Sequence, residues 1–170
     1  MRFTPPALAI ALGLLTLSSV GQSQRPDEVI DPRSMVLVSQ AREALMLGRF
    51  DVANDALETA LAVDPRNRAA YGLMADVATR QGLPGKAIRL YRESLTIEPN
   101  DVGALAGQGE AMVAKGAVTK AKENLAKIKT LCVGACPDGA RLSAVIDKGP
   151  PPALQSAQVT PTSVPAPASN

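Results

Sequence analysis

Histidine is absent from the 170 residues, and so is tryptophan. Lacking histidine, the chain has neither the commonest general base nor the commonest metal ligand. A Ser-His-Asp triad, a Cys-His pair and a His-bearing zinc site are excluded, although carboxylates, lysine or a thiol remain for chemistry. Aromatics are scarce, with two Phe and two Tyr. Apolar residues nevertheless make up 46% of the chain. A core rich in alanine and leucine is built between close helices, not in an aromatic-rich sheet sandwich. Excess charge of one sign is missing too: 18 Lys+Arg face 16 Asp+Glu, a net +2. That balance argues against a nucleic-acid partner, since such binding is driven largely by phosphate neutralisation. Cysteine is limited to Cys132 and Cys136.

Long apolar runs are also lacking, with one short exception at the start. Met1-Arg2 is followed by an apolar stretch from Ala7 to about Leu17, then Ser18-Ser19-Val20-Gly21. A basic start, an apolar centre and small residues behind it form a signal peptide over 1–21, cleaved after Gly21 or, as second choice, after Ser23. The run is shorter than the roughly 20 residues of a spanning helix, and no cysteine follows it for lipid attachment. The expectation is an exported, periplasmic bacterial protein that touches membrane only through the signal segment if it stays uncleaved. Residues 22–33, with Pro26 and Pro32, read as a polar leader without a core. Residues 149–170 carry Pro150, Pro151, Pro152, Pro161, Pro165 and Pro167 among Ser, Thr, Gln and Ala. Proline at that density, with little large apolar surface, predicts a disordered Pro-rich tail.

Between the ends the sequence repeats itself every 34 residues. Gly48, Gly82 and Gly116 keep that interval, as do Ala53, Ala87 and Ala121. So do Leu57, Tyr91 and Leu125; Leu37, Tyr71 and Leu105; and Pro65 with Pro99. Small residues recur at Ala41, Ala75 and Gly109. This spacing and these residue types resemble the tetratricopeptide repeat. The resemblance implies an all-α solenoid of helical hairpins with repeats at 34–67, 68–101 and 102–135. Glycine lets the chain reverse between helices, proline stops the second helix, and Asn67 and Asp101 are suited to cap the next one. Helices are expected at about 34–47, 51–63, 68–81, 84–97, 102–115 and 118–130, with Pro84 at a helix start, where it is tolerated. Stacking would set Asp55, Arg89 and Glu123 side by side as a charge ladder.

A last helix within 136–148 places Leu142, Val145 and Ile146 on one face and caps the exposed end that a repeat stack leaves. Just before it stand Cys132 and Cys136. A structural disulfide, a redox-active pair and a metal pair all compete for them. Two cysteines without histidine are too few for a structural zinc site, and an oxidising compartment closes nearby pairs. The disulfide is the leading expectation, pinning the cap to the third repeat.

No catalytic set, metal site or cofactor site emerges, so the expectation is a protein that is not an enzyme. Asp51, Asp55 and Glu58 share an outer helix face with no nucleophile beside them, and the lysines between Lys115 and Lys129 read as a wet face. The family resemblance implies that the first helices line a concave groove for a protein or peptide. Its matching positions are Met35, Val38, Arg42, Leu45, Met46, Asp76, Thr79, Arg80, Glu110 and Val113, together with small residues such as Ala69, Gly72 and Gly103. The lysine-and-asparagine clamp that chaperone-binding members use on a terminal carboxylate is absent. Val38 stands in place of the lysine, and Arg42 and Asp76 in place of asparagines. The expected function is therefore a periplasmic interaction adaptor, in a narrower version an assembly factor for a pilus, secretion or cytochrome-maturation system. The alternatives are a thiol-disulfide protein using Cys132 and Cys136, or a structural spacer with no groove ligand.

Overall fold

The computed structural model describes residues 29–152. The expected signal segment, most of the leader and the tail beyond Pro152 lie outside the described residues. Within them are seven helices and no strand: α1 (Pro32–Met46), α2 (Phe50–Val63), α3 (Arg68–Arg80), α4 (Pro84–Ile97), α5 (Val102–Ala114), α6 (Val118–Leu131) and α7 (Pro137–Lys148). Helices α1/α2, α3/α4 and α5/α6 pack as hairpins, and each hairpin packs on the next.

The 34-residue columns explain why the chain folds this way. Gly48, Gly82 and Gly116 sit just past the first helix of each hairpin with φ of 70°, 71° and 79°, the left-handed geometry that side-chain-bearing residues resist. The next residue then donates its N–H back across the turn. Arg49 reaches the Ala44 carbonyl (2.9 Å), Leu83 that of Ala78 (2.8 Å) and Ala117 that of Met112 (2.8 Å), the wide hydrogen bond of a Schellman ending. Asn67 and Asp101 cap α3 and α5 by accepting the N–H groups of Ala70 (3.4 Å) and Ala104 (3.0 Å). The alanines at 41, 53, 75, 87 and 121 are fully buried, which lets neighbouring helices approach closely.

At the third repeat the small position is filled from outside. A Cβ on Gly109 would lie 2.7 Å from Leu142 Cδ2, so α7 inserts Leu142 where a side chain would otherwise stand. Helix α7 packs on α5 and α6 and buries Leu142 and Ile146. The Cys132 and Cys136 sulfurs are bonded (S–S 2.10 Å) at the α6–α7 junction.

Three sequence expectations need correction. The leader does not run to residue 33. Asp31 is buried, its N–H donates to Asp64 Oδ2 (2.9 Å), and its carboxylate accepts the Arg33 N–H (2.8 Å), capping α1. Asp31-Pro32-Arg33 is a copy of Asp64-Pro65-Arg66, where Asp64 likewise accepts the Arg66 N–H (3.0 Å). The tail does not leave the fold at residue 149 either. Gly149 (φ 78°) turns the chain, and Pro150–Pro152 line a pocket with Val113 and Val145. Lastly, no ion pair joins Asp55, Arg89 and Glu123 among the described residues; the repeats are bridged instead by Arg68–Asp101, from α3 to the α5 cap.

Candidate functional site

The first helix of each hairpin faces one side of the stack, and α1, α3 and α5 together wall an open groove of about 510 Å³. Its floor carries little side-chain bulk. Ala69 and Gly72 of α3 and Gly103, Ala104 and Gly107 of α5 all contribute. Above this floor stand four arginines (Arg42, Arg68, Arg80, Arg141) and three carboxylates (Asp76, Asp101, Glu110).

One side chain reaches the groove from the layer behind. Tyr91, on α4, is buried, and its hydroxyl donates to Asp76 Oδ1 (2.5 Å). The ring fits because position 107 is glycine: a Cβ there would lie 2.9 Å from Tyr91 Cε1 and closer still to the hydroxyl end. Burial, and then the Asp76 carboxylate, push the Tyr91 phenol well above its ordinary value, so it stays protonated and donates to Asp76. The other two carboxylates are also engaged. Asp101 pairs with Arg68. Glu110 accepts from Arg141 Nε (2.5 Å), and Arg141 also meets Asp138 (2.8 Å) within α7. The Glu110 carboxylate holds the Arg141 guanidinium above its usual value.

The structure brings together half of the residues that the sequence nominated. Arg42, Asp76, Thr79, Arg80 and Glu110 line the groove. Val38 and Leu45 do not; they are buried in the cluster that holds Leu73, Met74 and Val77 of α3. Apolar side chains at those positions of α1 gain more from the α1–α3 contact than from facing water. Val113 is likewise buried and borders the separate apolar pocket with Ala114, Val145 and Pro150–Pro152. Met35 and Met46 are exposed but lie outside the groove lining. Their equivalents one repeat later, Ala69 and Arg80, line it, so the first-repeat positions fall beyond its edge.

Sequence reasoning missed Arg68, Tyr91, Asp101 and Arg141. Tyr91 had a usable signal, since it interrupts a leucine column (Leu57, Leu125) with a hydroxyl that needs a partner when buried. Arg68 had none, because its partner comes from another element; Arg141 offered only its i,i+3 neighbour Asp138, while its groove partner Glu110 lies on α5.

Comparison with known proteins gives the same architecture. The tetratricopeptide repeat model matches residues 38–102. The fold superposes on the Sgt2 TPR domain from Aspergillus fumigatus with a TM-score of 0.66, at 19% identity, covering 86% of this chain and 95% of that one. Residues 38–102 match the tetratricopeptide repeat, and the described chain has the tetratricopeptide-repeat fold. This repeat protein is also similar to the first TPR of Spaghetti (RPAP3), solved bound to an HSP90 peptide, SRMEEVD (TM-score 0.64, 17% identity, 72% of this chain and 98% of that one). By sequence it is 36% identical over 107 residues to the cellulose synthase 2 operon protein C of Komagataeibacter xylinus. The match takes in 60% of this chain but only 8% of that protein's length.

Elsewhere on the repeat protein the chemistry is sparse. Asp51, Asp55 and Glu58 are exposed on α2, and no group of three His, Cys, Asp or Glu side chains able to hold a metal occurs among the described residues. The bonded cysteines lie outside the groove lining, with Cys136 bordering a small pocket between α6 and α7. No helix among the described residues is long and apolar enough to cross a membrane.

Proposed function

We propose that this protein is an adaptor that holds an extended segment of another protein in the groove walled by α1, α3 and α5, without catalysing a reaction. The observation that carries this reading is the groove itself, floored by Ala69, Gly72 and Gly103, with the Tyr91 ring filling the place beside Gly107. Missing side chains let a peptide backbone come close to the helices, while the surrounding charged groups supply orientation. The peptide-bound relative of the same fold supports it.

The adaptor works after export, in the periplasm, as an assembly factor for an envelope system such as a pilus, secretion or cytochrome-maturation machine. The start of the sequence supports export, and the partial likeness to a cellulose synthase operon protein adds a cellulose-synthase system to the candidates. A Thr79→Trp variant tests the groove, because Thr79 is exposed on its wall and a large ring there blocks it. Purified wild type should retain a defined envelope protein that the variant loses. Equal retention by both would refute groove binding. For export, intact-mass measurement on protein released by osmotic shock should give a chain starting at Gln22 or Gln24; a full-length mass in the cytosolic fraction rejects it. No observation favours the thiol-disulfide alternative.

A further inference from the structure

Every carboxylate on the groove wall is already engaged, but two of its arginines are not. Asp76 accepts from Tyr91, Asp101 is held by Arg68, and Glu110 by Arg141. Arg42 on α1 and Arg80 on α3 line the same groove, and neither has a hydrogen-bond or ion-pair partner among the described residues. We propose, building on the groove reading above, that the occupant is an acidic peptide segment whose side-chain carboxylates are gripped by Arg42 and Arg80.

The sign follows from what is left over. A basic ligand would have to break Tyr91–Asp76, Arg68–Asp101 or Arg141–Glu110 to find an acceptor, and would still face two free guanidinium groups. An acidic ligand breaks nothing. Guanidinium is weakly hydrated and presents a planar fork that matches carboxylate geometry, so desolvating it under a peptide costs less than desolvating an ammonium. The spacing also fits an extended strand. Arg42 is equivalent to Asp76 by the 34-residue repeat, and Arg80 lies one turn beyond Asp76. The two arginines are thus separated by one helix spacing across and one turn along, on the order of 11 Å between backbones. An extended peptide presents same-face side chains about every 7 Å, within reach of two flexible arginine arms. Side chains, not a free C-terminus, supply the charge, so a peptide blocked at both ends suffices.

The test titrates the protein carrying residues 22–170, labelled with ¹⁵N, with acetyl-(Glu-Ala)₄-amide and with its neutral counterpart acetyl-(Gln-Ala)₄-amide. The expected result is shifts confined to groove amides of α1, α3 and α5 and to the Nε–H signals of Arg42 and Arg80, with the Glu peptide about tenfold tighter. Arg42→Gln and Arg80→Gln should each weaken it about three- to fivefold, in line with exposed charge pairs. Arg89→Gln on α4 should change nothing. Equal binding of both peptides in the groove, or binding indifferent to both arginine variants, overturns the acidic ligand while leaving the groove reading intact. Shifts only on α2, α4 or α6, or none at millimolar peptide, overturn both.

Discussion

At the scale of single residues, the structure is decided by a few side chains whose partners lie a full repeat away. Asp64 is buried and serves the Asp31 N–H and the Arg66 side chain together. The hydrogen bond from the Asp31 backbone holds the Asp64 carboxyl below its ordinary value. A depressed native value means that the unfolded chain takes up protons first, so the contribution is complete above the unfolded value of about 3.9 and is lost as pH falls through the native one. Thermal melts from pH 6 to pH 2.5 check this. Asp64→Asn should be less stable at pH 6 by about 1–2 kcal/mol, and its gap to wild type should narrow as pH falls. A gap independent of pH contradicts the assignment. Glycines give a second prediction. Gly107→Ala drives a methyl into the Tyr91 ring and should cost about 1–3 kcal/mol despite the better helix former. Gly85→Ala, with nothing within 4 Å of the new methyl, should instead gain up to about 1 kcal/mol. Denaturant unfolding of the two variants measures the difference.

At the scale of the helices, much is legible in the sequence. The glycine and proline columns mark where helices end for a local, backbone reason, and such signals survive in sequence. Helices α2 to α7 accordingly start and stop within about two residues of the expected bounds,. Side-chain direction is less legible. Val38 and Leu45 share a repeat position with groove residues, yet they turn inward, because apolar groups on α1 find α3 beside them. The exchange of bulk between Tyr91 and Gly107 was likewise hidden, although Gly107 stands one repeat after Leu73. A column in which leucine becomes glycine, opposite one in which leucine becomes tyrosine, is the pattern that would have found it. The capping role of α7 depends on Leu142, fully buried over Gly109. Leu142→Ala should cost about 2–5 kcal/mol. Replacing Cys132 and Cys136 together by serine should cost about 2 kcal/mol, the modest value for a short loop. Melting curves check both, and a cysteine loss larger than the Leu142 loss would mean that the staple, not the apolar contact, holds the cap.

At the scale of the whole molecule, three hairpins and a cap form one stack whose groove wall is charged and whose floor carries little side-chain bulk. Exposed charge pairs add little to stability, so the main stabilisation comes from the apolar faces buried between hairpins. That division leaves the groove side chains free to serve recognition. The claim at the centre of this account, that the partner lies against the groove wall, is tested most directly by photo-crosslinking in cells. A photoreactive phenylalanine at Thr79, on the groove wall, is compared with one at Arg89, exposed on α4. The account predicts a discrete adduct from position 79 and none from position 89. Adducts from 89 alone, or the same adducts from both, would contradict it.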